Sequence, residues 1–200
     1  DTDRSRGRGD VYKRQAICPF YDALLDAEND IRQVLVRQEA NGGHAANGYA
    51  RISGKPAVCI ATSGPGATNL ITAIATAYAD SIPIVCITGQ VNTDQIGSDV
   101  FQEADITGSA EPFVKHSYLL KDPEDTARVF KEAFYIAGTG RPGPVLIDIP
   151  MDVQKAVIDF EYPEKCEIRS YKPTTKGNYV QVRRCLLYTS PSPRDRSVSR

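Results

Sequence analysis

Short apolar runs alternate with stretches of helical period through the middle of this chain. The runs at 33–37, 57–61, 84–88, 114–119 and 145–149 each carry Val or Ile and read as strands. They are continuous rather than alternating, which fits strands buried on both faces. The spacing predicts a helix over 123–137. Asp122 can cap it, Pro123 suits its first position, and Glu124 and Asp125 complement its positive end. Phe130, Ala133, Phe134 and Ala137 form its inward stripe, and Gly138 ends it. Residues 40–50 read as a second helix, and a third runs through Leu70, Ile71, Ile74 and Tyr78. Strands alternating with helices predict an α/β fold, a doubly wound and mostly parallel sheet with helices on both faces. After Asp152 the chain turns polar and is broken by Pro163, Pro173 and Gly177. Residues 16–155 therefore read as the domain and 156–184 as a linker leaving it.

The two ends do not fit this pattern. Asp10-Val-Tyr-Lys-Arg-Gln15 can be encoded as gat gtg tat aag aga cag, and the reverse complement, shifted by one base, gives Cys185-Leu-Leu-Tyr-Thr-Ser190. Mirrored ends of this kind look like a translated sequencing adapter, so residues 1–15 and 185–200 are set aside from fold reasoning. They hold eight of the chain's 24 Lys and Arg and four of its 25 Asp and Glu, which leaves 16 basic and 21 acidic residues and a formal charge of −5. No basic stripe survives, and nucleic-acid binding has no support. The apolar runs are far too short to span a bilayer. Of five cysteines, Cys185 lies in the excluded tail, and Cys18, Cys59, Cys86 and Cys166 lack metal-ligand spacing. Cys59 and Cys86 sit in strand-like runs as small hydrophobes. A reducing, cytoplasmic compartment is the expectation.

Two segments carry candidate chemistry. Glu39 follows the run at 33–37 and opens the helix at 40–50, at the sheet edge where ligands of open α/β folds gather. An acidic residue there also simply complements a helix N-terminus. Ser63-Gly-Pro-Gly66 follows the run at 57–61 and opens the next helix. Its glycines let backbone approach a flat ring or an anion, or form a tight structural turn. Gly64-Pro-Gly-Ala-Thr-Asn69 ends in asparagine where a dinucleotide loop would have a third glycine.

Taken with Asp99-Val-Phe-Gln-Glu103 and Gly140-Arg-Pro-Gly-Pro144, these segments resemble the pyrimidine-binding domain of thiamine-diphosphate enzymes, and among them the large catalytic subunits of acetolactate synthases. The resemblance covers nearly all of 16–184. It implies that Glu39 bonds the N1′ nitrogen of the thiamine aminopyrimidine and favours the imino tautomer that takes the thiazolium proton, work that calls for a dry pocket. It implies that Gly64, Pro65, Gly66 and Asn69 contact the aminopyrimidine. Arg141 would contact FAD, or on a structural alternative cap the preceding helix. Phe101 and Gln102 would reach the substrate channel from a partner subunit, or be a core phenylalanine beside a solvated glutamine. Met151 would line the same channel.

The implied activity decarboxylates pyruvate and joins the hydroxyethyl unit to a second 2-oxo acid on the path to valine, leucine and isoleucine. The implied cofactors are thiamine diphosphate, Mg²⁺ and FAD. The implied assembly is a homodimer or tetramer with the active site across the subunit interface, with a regulatory small subunit as a further partner. The family's opening strand and helix, its FAD-binding domain and its metal-binding domain are expected to lie outside this chain, so that the fragment alone is inactive. Gln38, Asn92 and Met151 stand where the family commonly has histidine, proline and lysine. Another thiamine-diphosphate carboligase or decarboxylase, such as a sulfoacetaldehyde acetyltransferase or pyruvate oxidase, and a non-catalytic Rossmann-like module are the alternatives.

Overall fold

The computed structural model describes residues 15–26 and 31–189. Most of the two ends read as adapter-derived, residues 1–14 and 190–200, lies outside the described residues. The chain divides into two units, Asp1–Arg169 and Ser170–Arg200.

The first unit is built on four parallel strands: β1 (Ala57–Ala61), β2 (Ile84–Gln90), β3 (His116–Leu119) and β4 (Val145–Pro150), in the order β1-β2-β4-β3. β1 pairs with β2 from Ala57↔Ile84 to Ala61↔Thr88, β2 with β4 from Val85↔Val145 to Gln90↔Pro150, and β3 with β4 from His116↔Val145 to Leu119↔Asp148. Every residue of β2 and β4 is buried, as continuous apolar runs require of central strands. The outer strands differ: Val58 of β1 is 43% exposed, and no residue of β3 is fully buried.

Helices cover both faces. α1 (Cys18–Asp26) and α2 (Glu39–Ser53) precede the sheet. α3 (Pro65–Thr68) and α4 (Ile71–Ala79) link β1 to β2, α5 (Ile106–Ala110) precedes β3, α6 (Thr126–Gly138) links β3 to β4, and α7 (Met151–Lys155) follows β4. On one face, Ala46 and Ala50 of α2, Leu70, Ile74 and Ala77 around α4, and Ile106 and Ala110 of α5 pack on Cys59, Ile84, Cys86 and Leu146. Cys59 and Cys86 are in register with their Sγ atoms 3.2 Å apart, and that contact together with burial holds the Cys86 thiol well above its ordinary value. α2 and α4 meet closely at Gly43, where a Cβ would lie 2.5 Å from that of Ala73. α2 ends on Gly54, left-handed at φ 67, with its N–H bonded to Ala50 O.

Three expectations are corrected. Residues 33–37 form no strand; Leu35 is 91% exposed, and a β-branched run with no neighbouring strand among the described residues has no ladder there to join. The helix over 123–137 begins as a 3₁₀ turn (Pro123–Asp125), capped as expected by Asp122, whose Oδ1 accepts from the Glu124 N–H at 3.1 Å. Its inward stripe is Ala127, Val129, Ala133, Ile136 and Ala137, with Phe130 half-buried and Phe134 37% exposed. Small residues let the helix seat close to the sheet, and the rings turn outward. The strand expected at 114–119 starts at His116, because Val114 and Lys115 close the preceding turn.

The second unit contains α8 (Tyr179–Thr189), whose first turn is capped by Asn178 Oδ1 accepting from the N–H groups of Val180 and Gln181. Among the described residues no helix is long and apolar enough to cross a membrane.

Candidate functional site

Glu39 is the first residue of α2, entered from extended backbone at Gln38 (φ −141, ψ 136), so its carboxylate stands in the positive first turn. Across from it, the chain leaves β1 through Thr62, Ser63 and Gly64. Gly64 has φ 60 and ψ −125, a conformation that only glycine adopts without strain. Pro65 then sets the first turn of α3 and is itself exposed.

These two helix starts converge. Asn69 Nδ2 donates to Glu39 Oε2 at 3.1 Å. A Cβ at Gly66 would stand 3.6 Å from Glu39 Oε1 and 2.7 Å from Thr62 Cγ2. The bare Gly66 therefore keeps open the space beside Oε1, while Asn69 holds Oε2. Thr62 Oγ1 is buried with no hydrogen-bond partner among the described residues, an orphan polar atom at the same turn. One carboxylate oxygen, an open backbone and an unpaired hydroxyl form a cradle suited to a flat, hydrogen-bonding heterocycle.

Gln102 joins this cluster through its backbone. A Cβ at Gly64 would lie 2.8 Å from Gln102 O and 3.1 Å from its Cα. The resemblance implied an approach from a partner subunit; within one chain Gln102 already rests on the glycine turn. Phe101 projects outward, 74% exposed, and is not a core residue. Glu39 is only half-buried, so the described residues do not enclose the dry pocket that the resemblance implies for it.

The remaining expected residues lie apart. Met151 opens α7 at the carboxyl end of β4, on the same edge as the glycine turn but two strands over, about 10 Å sideways at the usual strand spacing. Asn92 is nearby: Thr93 donates to Asp152 from its backbone N–H at 3.1 Å and also from its hydroxyl. Arg141 stands at the opposite, amino edge. Its Nε donates to Ser81 Oγ at 2.7 Å, a terminal nitrogen reaches Ala79 O at 3.4 Å, and the guanidinium lies 6.0 Å from the Tyr78 ring centre. It does not cap the preceding helix: Lys115 Nζ donates to the C-terminal carbonyls of Ile136 and, at 2.8 Å, Thr139.

Sequence reasoning missed a buried polar network behind the site. Asp148, 1% exposed on β4, accepts from Thr88 Oγ1 at 2.7 Å and Gln90 Nε2 at 2.9 Å. Gln90 Nε2 also donates to Ala104 O at 2.9 Å, and Gln90 Oε1 accepts from the Val91 N–H at 3.0 Å. Burial pushes the Asp148 carboxyl up to about 7, against the pull of its two donors, and the charge of Asp105 adds to the rise. Asp105 itself is held below its ordinary value, chiefly by the Gly108 N–H and also by Thr107, as it caps α5. The available signal was a carboxylate inside the apolar run of β4.

Residues 12–109 match the family of the thiamine pyrophosphate enzyme, N-terminal TPP binding domain. The chain is 53% identical over 168 residues to an acetolactate synthase of Mycobacterium bovis, a match covering 84% of this chain and 27% of that protein. It is 50% identical over 186 residues to a probable acetolactate synthase large subunit of Methanocaldococcus jannaschii, covering 92% and 31%. An acetolactate synthase large subunit of Corynebacterium glutamicum is 50% identical over 171 residues, covering 86% and 27%. The chain thus spans less than a third of the length of these curated relatives.

Proposed function

We propose that this chain, which belongs to the thiamine pyrophosphate enzymes through their N-terminal TPP binding domain, supplies the pyrimidine-binding half of an acetolactate synthase active site. The observation that carries this reading is the Glu39 carboxylate, fixed by Asn69 at Oε2 and left open at Oε1 beside the bare Gly66. Thiamine diphosphate, when bound, would supply the electron sink for decarboxylation and carboligation of 2-oxo acids.

The residues of this chain bind, orient and hold a proton. Glu39 Oε1 is the atom available to share a proton with a ring nitrogen, and the Asn69 bond to Oε2 stops the carboxylate from rotating away. Gly64 and Gly66 permit a ring to lie against backbone, where side chains would stand in its way. The unpaired Thr62 hydroxyl offers one more polar contact. Gln102, at the rim of the turn, and Met151, farther along the same edge, face the route by which substrate enters. Because Glu39 is half-buried in this chain, water is excluded by a second surface, that of a partner subunit in a homodimer or tetramer.

The substrates on this reading are pyruvate and a second 2-oxo acid, and the products feed branched-chain amino acid synthesis in the cytoplasm, with a small regulatory subunit as a further partner. Mg²⁺ and the diphosphate are held by a part of the enzyme beyond these 200 residues. FAD is the ligand proposed for Arg141, whose guanidinium retains donors after its bonds to Ser81 and Ala79.

The test is acetolactate formation from pyruvate by the full-length enzyme with thiamine diphosphate, Mg²⁺ and FAD, run beside Glu39→Gln. The variant is expected to fold normally and to lose about 10²–10⁴-fold in rate, the range for a positioned proton-transfer group. Undiminished activity in the variant refutes the role of Glu39; no acetolactate from the intact enzyme refutes the assignment.

A further inference from the structure

Residues 91–105, between β2 and α5, are shaped by polar groups rather than by an apolar core. Asp152 grips one root at Thr93, and Gln90 grips the other at Ala104 O. Between them Glu103 folds back along its own loop. Its Oε1 accepts from the Gly97 N–H and its Oε2 from the Val100 N–H at 3.2 Å, while its backbone N–H donates to Val100 O at 3.0 Å.

The conformation held this way is an unfavourable one. Gly97, Asp99 and Gln102 have φ of 86, 51 and 64, and only the first is a glycine. Left-handed backbone at non-glycine residues persists only where the surroundings over-determine it. Gly97, Ser98, Asp99 and Phe101 are exposed and contribute little packing. What this strained segment delivers is the Gln102 backbone, seated on Gly64 with its carbonyl 2.8 Å from where a Cβ would stand.

We propose that Glu103 is a positioning residue, whose carboxylate latches residues 97–102 so that Gln102 stays on the glycine turn and shapes the substrate entrance of the Glu39 site. The inference rests on the function proposed above for that site. Glu103 acts through the loop, with both carboxylate oxygens engaged by backbone donors.

The experiment compares Glu103→Gln and Glu103→Ala with wild type in the full-length enzyme, by hydrogen exchange and by steady-state kinetics. Glutamine keeps one accepting oxygen and turns an amide toward the other donor; alanine keeps neither. Exchange at 97–102 is expected to quicken at least tenfold in the alanine variant and by less in the glutamine variant, with 64–69 following and β2 and β4 unchanged. KM for pyruvate is expected to rise five- to tenfold in the alanine variant, with partial recovery in glutamine, while thiamine diphosphate affinity stays within threefold, because the substitution removes neither the Asn69 bond to Glu39 nor the open backbone at Gly66. Unchanged exchange at 97–102 overturns the proposal. So does loosening that spreads to β2 and β4 without a change in KM, which marks a merely structural role. Should the wild-type enzyme make no acetolactate, the functional reading falls, and exchange decides the latch by itself: tenfold loosening confined to 64–69 and 97–102 upholds it, and unchanged exchange ends it.

Discussion

Asp148→Asn should reverse the sign of a stability difference as pH is raised. In wild type the carboxyl is pushed from 3.8 to about 7 by burial, with Thr88 and Gln90 opposing and Asp105 reinforcing the shift. A folded-state value raised above the unfolded one means that the native state holds a proton which the unfolded chain has released. This site's contribution is therefore fully present below about pH 4, is lost as pH rises to about 7, and is flat beyond. At about 1.4 kcal/mol per pH unit, roughly three units remove about 4 kcal/mol. Asparagine has no such titration. Its oxygen can still accept from Gln90 Nε2, which is fixed because Gln90 Oε1 accepts from Val91 and Nε2 also serves Ala104 O, and its amide then faces the Thr88 hydroxyl, which turns to accept one amide hydrogen and leaves the second without a partner in this network. That unsatisfied buried donor costs about 1–3 kcal/mol at any pH.

The variant should accordingly be about 1–3 kcal/mol less stable than wild type at pH 4.5 and equal to it or up to about 3 kcal/mol more stable at pH 8.5. Urea unfolding followed by circular dichroism at fixed ionic strength, at pH 4.5, 6, 7 and 8.5, measures the difference, and carboxylates other than Asp148 titrate in both proteins and largely cancel. A gap that stays constant to within about 1 kcal/mol across this range would refute a buried carboxyl that ionises near neutrality.

Other substitutions test the site and its scaffold separately. Gly66→Ala places a methyl 2.7 Å from Thr62 Cγ2 and beside Glu39 Oε1; thiamine diphosphate affinity in the full-length enzyme, read by titration calorimetry, should fall tenfold or more, about 1.4 kcal/mol, and an unchanged affinity counts against the cradle. Gly43→Ala overpacks α2 against Ala73 and should cost about 1–3 kcal/mol in urea unfolding, with most of it restored in the Gly43→Ala, Ala73→Gly double variant. Arg141→Ala should reduce flavin retained through gel filtration, seen in the visible absorbance of the full-length enzyme, and leave thiamine diphosphate affinity within twofold; loss of thiamine binding would contradict the separation of the two positions.

Much of the scaffold was legible because its signals are local. The starts of β1, β2 and β4 follow from continuous apolar runs punctuated by Pro and Gly, and the capping role of Asp122 from its place before Pro123. What failed depended on partners that a pattern does not name. The run at 33–37 looks like a strand in composition, but a strand exists only where another offers hydrogen bonds. The inward stripe is right at Ala133 and Ala137 and wrong at Phe130 and Phe134, because the helix seats by its small residues, Ala127 among them, and leaves the large rings toward solvent. Asp148 was absorbed into an apolar run, since periodicity records that a position is buried and not how its charge is met. Gln102 reaches Gly64 by backbone, which leaves no side-chain signature in the sequence.

The separation of Arg141 from Glu39 was available in principle and shows how far strand order carries. In a parallel sheet a residue just before a strand lies at the amino edge and a residue just after one at the carboxyl edge. Arg141 precedes β4, as Ser81 precedes β2, and the two are bonded to each other; Met151 follows β4 and the glycine turn follows β1. The six residues of β4 hold these edges about 20 Å apart. Residues that a motif list groups under one activity are thus divided between two stations, and no side chain spans the gap. On the function proposed above, a flavin held at Arg141 therefore influences Glu39 through no side chain of this domain, and proton transfer at Glu39 calls on Asn69, Gly66 and the partner surface that excludes water.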